Sequence, residues 1–133
     1  MAYLELNSAK LKHNFTFLEE LFKSRNIQWA VVSKVLCGNK LYLTELLKLG
    51  VKQICDSRTT NLKNIKLLND NIETIYIKPP ATRDIANIVK YADISVNTEI
   101  STIMALSRAA KKLNKSHKII IMIEMGELRE GVL

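Results

Sequence analysis

A lysine at the end of a short apolar segment is the residue of this chain best suited to chemistry. Residues 30–35 are apolar apart from Ser33 and Lys34, and Gly38 follows closely behind them. A lysine at the carboxyl end of a buried strand lies where α/β barrels place their chemistry, and a partly desolvated lysine amine is a nucleophile that forms Schiff bases with carbonyl compounds. The sequence therefore predicts Lys34 as a candidate catalytic residue. The alternative is that Lys34 only solubilises the end of a strand.

Two further polar side chains follow apolar segments. Asp56 and Asn97 each fall at the carboxyl end of a predicted strand. Because the carboxyl ends of parallel strands meet at one edge of a sheet, both residues are candidates for lining the same pocket as Lys34. Capping a helix or closing a local turn is an equal alternative for each of them.

The remaining reactive residue types indicate neither a metal site nor a disulfide. Cys37 and Cys55 lie in apolar contexts with no CxxC pattern and no histidine at ligand spacing. We therefore expect two reduced cysteines that act as small packing residues. His13 falls on a predicted helix face and His117 precedes a predicted strand, and we expect both at the surface.

Composition and charge favour a globular chain without a nucleic-acid or membrane partner. The 133 residues are 47% hydrophobic, enough for one domain with a core, and carry a formal net charge of +7. The basic residues are dispersed over several predicted helices and no aromatic residues interleave with them, so solvated helix faces explain the charge. Residues 119–123 are the longest strongly apolar run, too short to cross a bilayer. No signal peptide is visible, which predicts a cytoplasmic setting.

The elements that must position these residues follow a regular rhythm. Apolar segments begin at residues 30, 53, 74, 94 and 118, with helical periodicity between them. Strand, helix, strand at this spacing is typical of a parallel sheet, and the continuous run 119–123 fits a sheet covered on both faces. An alternating strand over residues 3–6 and a helix precede this pattern, and the helix presents Leu11, Phe15, Leu18 and Phe22 on one face.

This pattern predicts an α/β fold in a single domain over residues 1–133. The architecture is a partial (β/α) barrel of TIM type, with about five parallel strands and intervening helices, preceded by the N-terminal strand and helix. An open doubly wound sheet is the alternative, but no glycine-rich phosphate-binding motif follows any strand.

Three stretches together resemble the N-terminal part of the alanine racemase superfamily, the fold-type-III enzymes that use pyridoxal phosphate. Residues 32–38 are similar to the strand that bears the cofactor lysine. Residues 55–58 with 61–62 resemble the second strand and the following helix of the branch that includes ornithine racemase. Residues 122–131 are similar to the fifth-strand motif of an acidic residue, a glycine and an arginine.

The resemblance implies specific roles. Lys34 would form the Schiff base with pyridoxal phosphate, and the cofactor ring would act as an electron sink for the substrate Cα carbanion. Arg129 matches the arginine that interacts near the phenolic oxygen of the cofactor; its alternative is a loop arginine paired with Glu127 or Glu130. Lys34, Arg129, Asn97 and Asp56 are therefore the predicted cofactor-binding residues, and an amino acid is the predicted substrate.

The resemblance also implies what this chain lacks. Strands six to eight of the barrel and the C-terminal β domain are expected to be absent, so the chain alone is expected to be weakly active or inactive as a racemase. A non-catalytic pyridoxal-phosphate homeostasis protein of the same barrel family is the alternative. A five-stranded open barrel would expose its sheet edges, and such edges pair with a second copy, which predicts a homodimer.

Overall fold

The computed structural model describes residues 5–132, which form one sheet and the helices that pack on it. Helix α1 spans Ser8–Lys23, and four helices alternate with the strands: α2 (Lys40–Leu47), α3 (Thr59–Leu68), α4 (Ile85–Tyr91) and α5 (Ile100–Lys112). The strands are β1 (Val31–Val32), β2 (Gln53–Asp56), β3 (Glu73–Tyr76), β4 (Ile94–Asn97) and β5 (Lys118–Ile121), with short 3₁₀ turns at Lys34–Leu36 and Thr82–Asp84.

All five strands are parallel and lie in sequence order, β1-β2-β3-β4-β5. Each neighbouring pair is joined by a crossover through a helix, as parallel strands require. This order confirms the predicted α/β architecture of a partial barrel of TIM type, since consecutive strands of such a barrel are neighbours.

The register separates two faces of the sheet. Ile54 and Tyr76 belong to the cluster that packs against the helices, whose fully buried members include Leu43, Leu62 and Ile88. Cys55, Ile75 and Ile94 form a second cluster on the opposite face, because side chains alternate along a strand.

The N-terminal region differs from the prediction. Tyr3 and Leu4 lie outside the described residues, and Glu5 and Leu6 belong to no strand. Helix α1 is present, and Asn7 caps its N-terminus: the Asn7 side chain accepts a hydrogen bond from the Lys10 backbone N–H at 3.0 Å. The predicted apolar face of α1 is only half-buried, packed in part on Trp29.

Strand β5 is the exposed edge of the sheet. Its four residues are all exposed, and Ile121 is 56% exposed. The sequence predicted a strand covered on both faces, but within residues 5–132 no further strand pairs with β5. An unpaired apolar edge of this kind is a template for association.

Candidate functional site

The candidate site lies at the carboxyl edge of the sheet, where β1 gives way to a turn that carries Lys34. Strand β1 ends at Val32, three residues before Val35, the last residue of the predicted segment, because Lys34–Leu36 wind into a 3₁₀ turn. Lys34 is exposed and, within residues 5–132, its amine makes no hydrogen bond or ion pair. The partial burial expected from the sequence is therefore not supplied by this part of the chain, although the amine is free to react.

The turn after Lys34 is fixed by its backbone conformation and by helix α3. Cys37 and Gly38 both have positive φ angles, 49° and 71°. A Cβ atom on Gly38 would lie 2.6 Å from the Asn61 side-chain oxygen, so only glycine fits at this close approach. The Gly38 carbonyl accepts a hydrogen bond from the Asn64 side-chain amide at 2.9 Å, which ties the far end of the turn to α3.

The near end of the same turn is held by a buried polar network centred on Asp56. The Ser33 hydroxyl donates to Asp56 Oδ2 at 3.0 Å. Asp56 Oδ1 accepts from the Asn61 side-chain amide and from the Arg58 backbone N–H, both at 3.0 Å. Asp56 is completely buried. Its carboxylate therefore joins the end of β1, β2 and the start of α3. This is the local-turn alternative predicted from the sequence, and the carboxylate does not face open space beside Lys34.

Asn97 ends β4 and is also completely buried. Its side-chain amide donates to the Ser95 carbonyl at 2.8 Å and to the Ser95 hydroxyl at 3.1 Å, so it caps no helix. Its Oδ1 atom is buried and, in the described part of the chain, has no hydrogen-bond partner. Through register with Tyr76, Ser95 and hence Asn97 lie on the helix-facing side of the sheet.

Arg129 lies in the loop that follows β5. The loop closes on itself: Ile123 forms a parallel bridge with Val132. The Glu124 carboxylate accepts hydrogen bonds from the backbone N–H groups of Leu128 and Arg129, at 3.0 and 3.2 Å. These bonds, chiefly the one from Leu128, lower the pKa of Glu124. The Arg129 guanidinium is exposed and, in the ranges described, forms no ion pair, so the alternative pairing with Glu127 or Glu130 is not seen.

The structure brings together some of the predicted residues and separates others. Asp56 lies one hydrogen bond from Ser33, the neighbour of Lys34. Lys34 follows β1 and Arg129 follows β5, the two opposite edges of the sheet. Four strand spacings of about 4.8 Å put these elements roughly 19 Å apart along the sheet, so only the curvature of the sheet shortens the distance between them.

Several residues that the sequence analysis did not single out hold the Lys34 turn and the Arg129 loop in place. Ser33, Asn61 and Asn64 fix the Lys34 turn, and Glu124 organises the Arg129 loop. Asn61 and Asn64 lie three residues apart on α3, the helical spacing that puts both on the face toward the turn. This spacing was the available signal.

His117 corrects a further expectation. His13 is exposed as predicted, but His117 is half-buried and hydrogen-bonded, with Nε2 2.9 Å from the Ser95 hydroxyl. Burial lowers the pKa of His117, against the smaller raising effects of its bond to the Ala92 carbonyl and of the Asp93 charge. A histidine before a strand turns inward here because a buried hydroxyl and a carbonyl are both within its reach.

Two cavities lined in part by α1 lie away from this edge. A cavity of about 540 Å³ opens between α1 and the amino ends of β1 and β2, with Trp29 and Glu73 in its wall. Active sites of β/α barrels occupy the opposite, carboxyl end, so this cavity is not the candidate site.

Among the described residues, no three histidine, cysteine or acidic side chains are placed to hold a metal ion. No helix within residues 5–132 has the length and apolar character needed to cross a bilayer.

The residues at the carboxyl edge fit an aldehyde cofactor at the point of attachment. Covalent capture of an aldehyde needs an amine without a competing partner on a fixed backbone. Lys34 meets both conditions, because its amine is unpaired among the described residues and its turn is held at both ends.

Comparison with known proteins finds amino-acid racemases among the relatives of this chain. No family model matches the chain. It is 41% identical over 122 residues to the ornithine racemase of Acetoanaerobium sticklandii, covering 92% of this chain and 34% of that protein. It is 25% identical over 129 residues to the lysine racemase of Thermotoga maritima, covering 97% of this chain and 36% of that protein. The chain thus spans about a third of the length of the curated relatives it matches.

Solved structures share the fold at low sequence identity. D-threonine aldolase from Filomicrobium marinum matches with a TM-score of 0.77 and 16% identity over 96% of this chain and 35% of its own. PipY of Synechococcus elongatus, solved with PLP bound, matches with a TM-score of 0.69 and 17% identity, covering 85% of this chain and 57% of its own. Alanine racemase of Clostridium difficile matches with a TM-score of 0.67 and 15% identity, covering 78% of this chain and 28% of its own.

These matches confirm the resemblance predicted from the sequence. In sequence the chain is related to ornithine and lysine racemases, and in fold it matches the barrels of alanine racemase, PipY and D-threonine aldolase. The coverage also agrees with a partial barrel, since each match takes in only part of the relative.

Proposed function

We propose that this chain is the lysine-bearing part of a pyridoxal-phosphate-dependent amino-acid racemase, with Lys34 as the covalent attachment point of the cofactor. The observation that carries the proposal is the Lys34 turn at the carboxyl end of β1. Its lysine amine is exposed and has no partner within residues 5–132, and the turn is held to Asp56 through the Ser33 hydroxyl and to Asn64 through the Gly38 carbonyl. The racemase relatives and the PLP-bound PipY structure support the choice of cofactor and reaction.

Lys34 has two tasks in this proposal. Its amine holds the cofactor and, once released by an incoming substrate amine, it is placed to take a proton from one face of the substrate α-carbon. The bound cofactor supplies an electron sink that makes this proton acidic. The clamped turn serves both tasks, because a lysine stem is flexible but its Cα does not move.

Asp56 acts in this proposal as a positioning residue. It holds the Ser33 side chain and the start of α3, and it makes no contact with a ligand. Arg129 is assigned the cationic role: its guanidinium, which forms no ion pair within residues 5–132, stabilises negative charge on the ring oxygen of the cofactor. Asn97 is completely buried on the helix-facing side of β4, so in this proposal it is a positioning residue like Asp56.

Selective borohydride trapping tests the attachment point. The purified chain is incubated with pyridoxal phosphate, reduced, digested and mapped for pyridoxyl-lysine. Lys40 is the matched control, because it is an exposed lysine six residues further along at the start of α2. We expect label concentrated on Lys34 and lost in Lys34→Ala, with Lys40→Ala unchanged. Equal labelling of Lys34 and Lys40 at limiting cofactor contradicts the proposal.

A non-catalytic pyridoxal-phosphate protein is the second candidate, favoured by the match to PipY over 58% of that chain. Exchange of the α-proton of ornithine, lysine or alanine for deuterium separates the two functions. The racemase assignment predicts that Lys34-dependent exchange appears or rises when the remaining part of the barrel is supplied. Cofactor trapping at Lys34 without exchange under any of these conditions favours the non-catalytic candidate.

A further inference from the structure

A chain of hydrogen bonds runs along the helix-facing side of β4 toward its carboxyl end. His117 Nδ1 lies 3.2 Å from the Ala92 carbonyl, and His117 Nε2 lies 2.9 Å from the Ser95 hydroxyl. The Ser95 hydroxyl lies in turn 3.1 Å from the Asn97 side-chain amide. Ser95 and Asn97 are both completely buried, so solvent does not compete for these bonds.

The donor and the acceptor of each of these hydrogen bonds can be assigned from the two backbone carbonyl groups at the ends of the series. The Ala92 and Ser95 carbonyls can only accept, so His117 Nδ1 carries a proton and the Asn97 nitrogen faces the strand. In a neutral imidazole Nε2 then accepts the Ser95 O–H. The hydroxyl oxygen accepts the second Asn97 N–H, and both amide hydrogens are used. Only Asn97 Oδ1 remains, buried and without a partner in the described residues.

We propose that His117 and Ser95 are positioning residues that fix the Asn97 carboxamide and transmit the protonation state of His117 to the carboxyl edge of β4. A proton on Nε2 would direct an N–H at the Ser95 oxygen, which already accepts from Asn97. The Ser95 hydroxyl then loses Nε2 as its acceptor and has to rotate, which changes the hydrogen bond that its oxygen accepts from the Asn97 amide. Protonation of His117 therefore alters one of the two hydrogen bonds that hold the Asn97 carboxamide, while the bond from the amide to the Ser95 carbonyl remains.

The charges around His117 are set by its neighbours on other elements. Asp93, before β4, favours the protonated imidazole, and the Lys66 amine of α3 pairs with Asp93 at 2.8 Å. Lys118, the next residue along the chain, pairs with Glu73 of β3. Both cations are therefore engaged with carboxylates, and burial is the largest influence keeping His117 neutral.

We call the hydrogen-bonded series His117–Ser95–Asn97 the relay. It consists of contacts within the protein, so its test does not depend on the proposed function. Nuclear magnetic resonance of the ¹⁵N-labelled chain tests it without cofactor. In the wild type we expect the Nδ1–H tautomer at neutral pH and a His117 titration midpoint below 6.5. We expect the Asn97 side-chain amide resonances to shift with that same midpoint. His13, the other histidine, gives a separate set of resonances outside the relay.

Ser95→Ala removes the middle of the relay, and Ser57→Ala is the matched control outside it. In Ser95→Ala the His117 midpoint should rise, because neutral Nε2 loses its donor, and the Asn97 resonances should no longer follow the titration. Ser57→Ala should leave both unchanged. An Nε2–H tautomer in the wild type, or Asn97 resonances that do not respond to the His117 titration, overturns the proposal even if Ser95→Ala fails to fold. Persistent coupling in folded Ser95→Ala overturns it as well.

Discussion

Replacing Gly38 by alanine is the sharpest test of how the Lys34 turn is held. The added Cβ would lie 2.6 Å from Asn61 Oδ1 and 3.3 Å from the Asn61 Cα. The side chain of Asn61 must rotate or α3 must shift, and either movement weakens the 3.0 Å bond from Asn61 to Asp56. Gly50 is the matched control, because its φ is also positive, at 82°, but a Cβ there would meet nothing within 4 Å.

The magnitudes separate the two variants. A non-glycine residue in the left-handed region costs about 1–2 kcal/mol, offset by about 0.4–1 kcal/mol from the stiffer unfolded chain. Gly50→Ala should therefore destabilise the fold by roughly 1 kcal/mol. Gly38→Ala adds the loss of a hydrogen bond to a buried carboxylate, worth about 1–3 kcal/mol, for a total of roughly 2–4 kcal/mol.

Urea unfolding of both variants measures the difference, with the double variant Gly38→Ala, Asn61→Ala as a cycle. The alanine at position 61 removes the clashing oxygen, so Gly38→Ala should cost less in that background than in the wild type. Borohydride trapping at Lys34 should also fall in Gly38→Ala and not in Gly50→Ala. Equal urea midpoints for the two single variants, or additive effects in the cycle, would refute the reasoning.

Three further predictions concern charges and the open edge. Burial raises the pKa of Asp93, but hydrogen bonds from Lys66 and Thr74 outweigh the effect of burial and lower this pKa below its ordinary value of 3.8. The ionised Asp93 therefore stabilises the folded protein fully above pH 3.8, and this contribution is lost as the pH falls through the lowered pKa of the folded state. In Lys66→Met the loss of folding stability on acidification should begin at a higher pH, which urea midpoints measured across a pH series would show. Glu124→Gln should speed amide hydrogen exchange in the loop after β5 several-fold, because backbone N–H groups lose a charged acceptor. If the β5 edge drives self-association, Ile121→Lys should shift sedimentation toward monomer, whereas Leu67→Lys, at the somewhat more exposed Leu67 of α3, should not. A wild-type monomer at high concentration contradicts this.

The sequence by itself determined the architecture of this protein. Apolar segments at a spacing of one strand and one helix can bury their side chains only as a parallel sheet with helices on it, and the observed order β1 to β5 follows that spacing. The position of Lys34 after β1 was also readable, because a strand ends where polar and glycine residues begin.

Only the tertiary structure decided which polar residues work together. Asp56 and Asn97 both follow an apolar segment in the sequence, yet the Asp56 carboxylate accepts from three donors, whereas Asn97 Oδ1 has no partner within residues 5–132. His117 gave no signal, because its partners lie 22 and 25 residues away along the chain. Hydrogen bonds between strands depend on register and on the approach of helices to the sheet, and neither is encoded in the local run of residues that a sequence pattern reads.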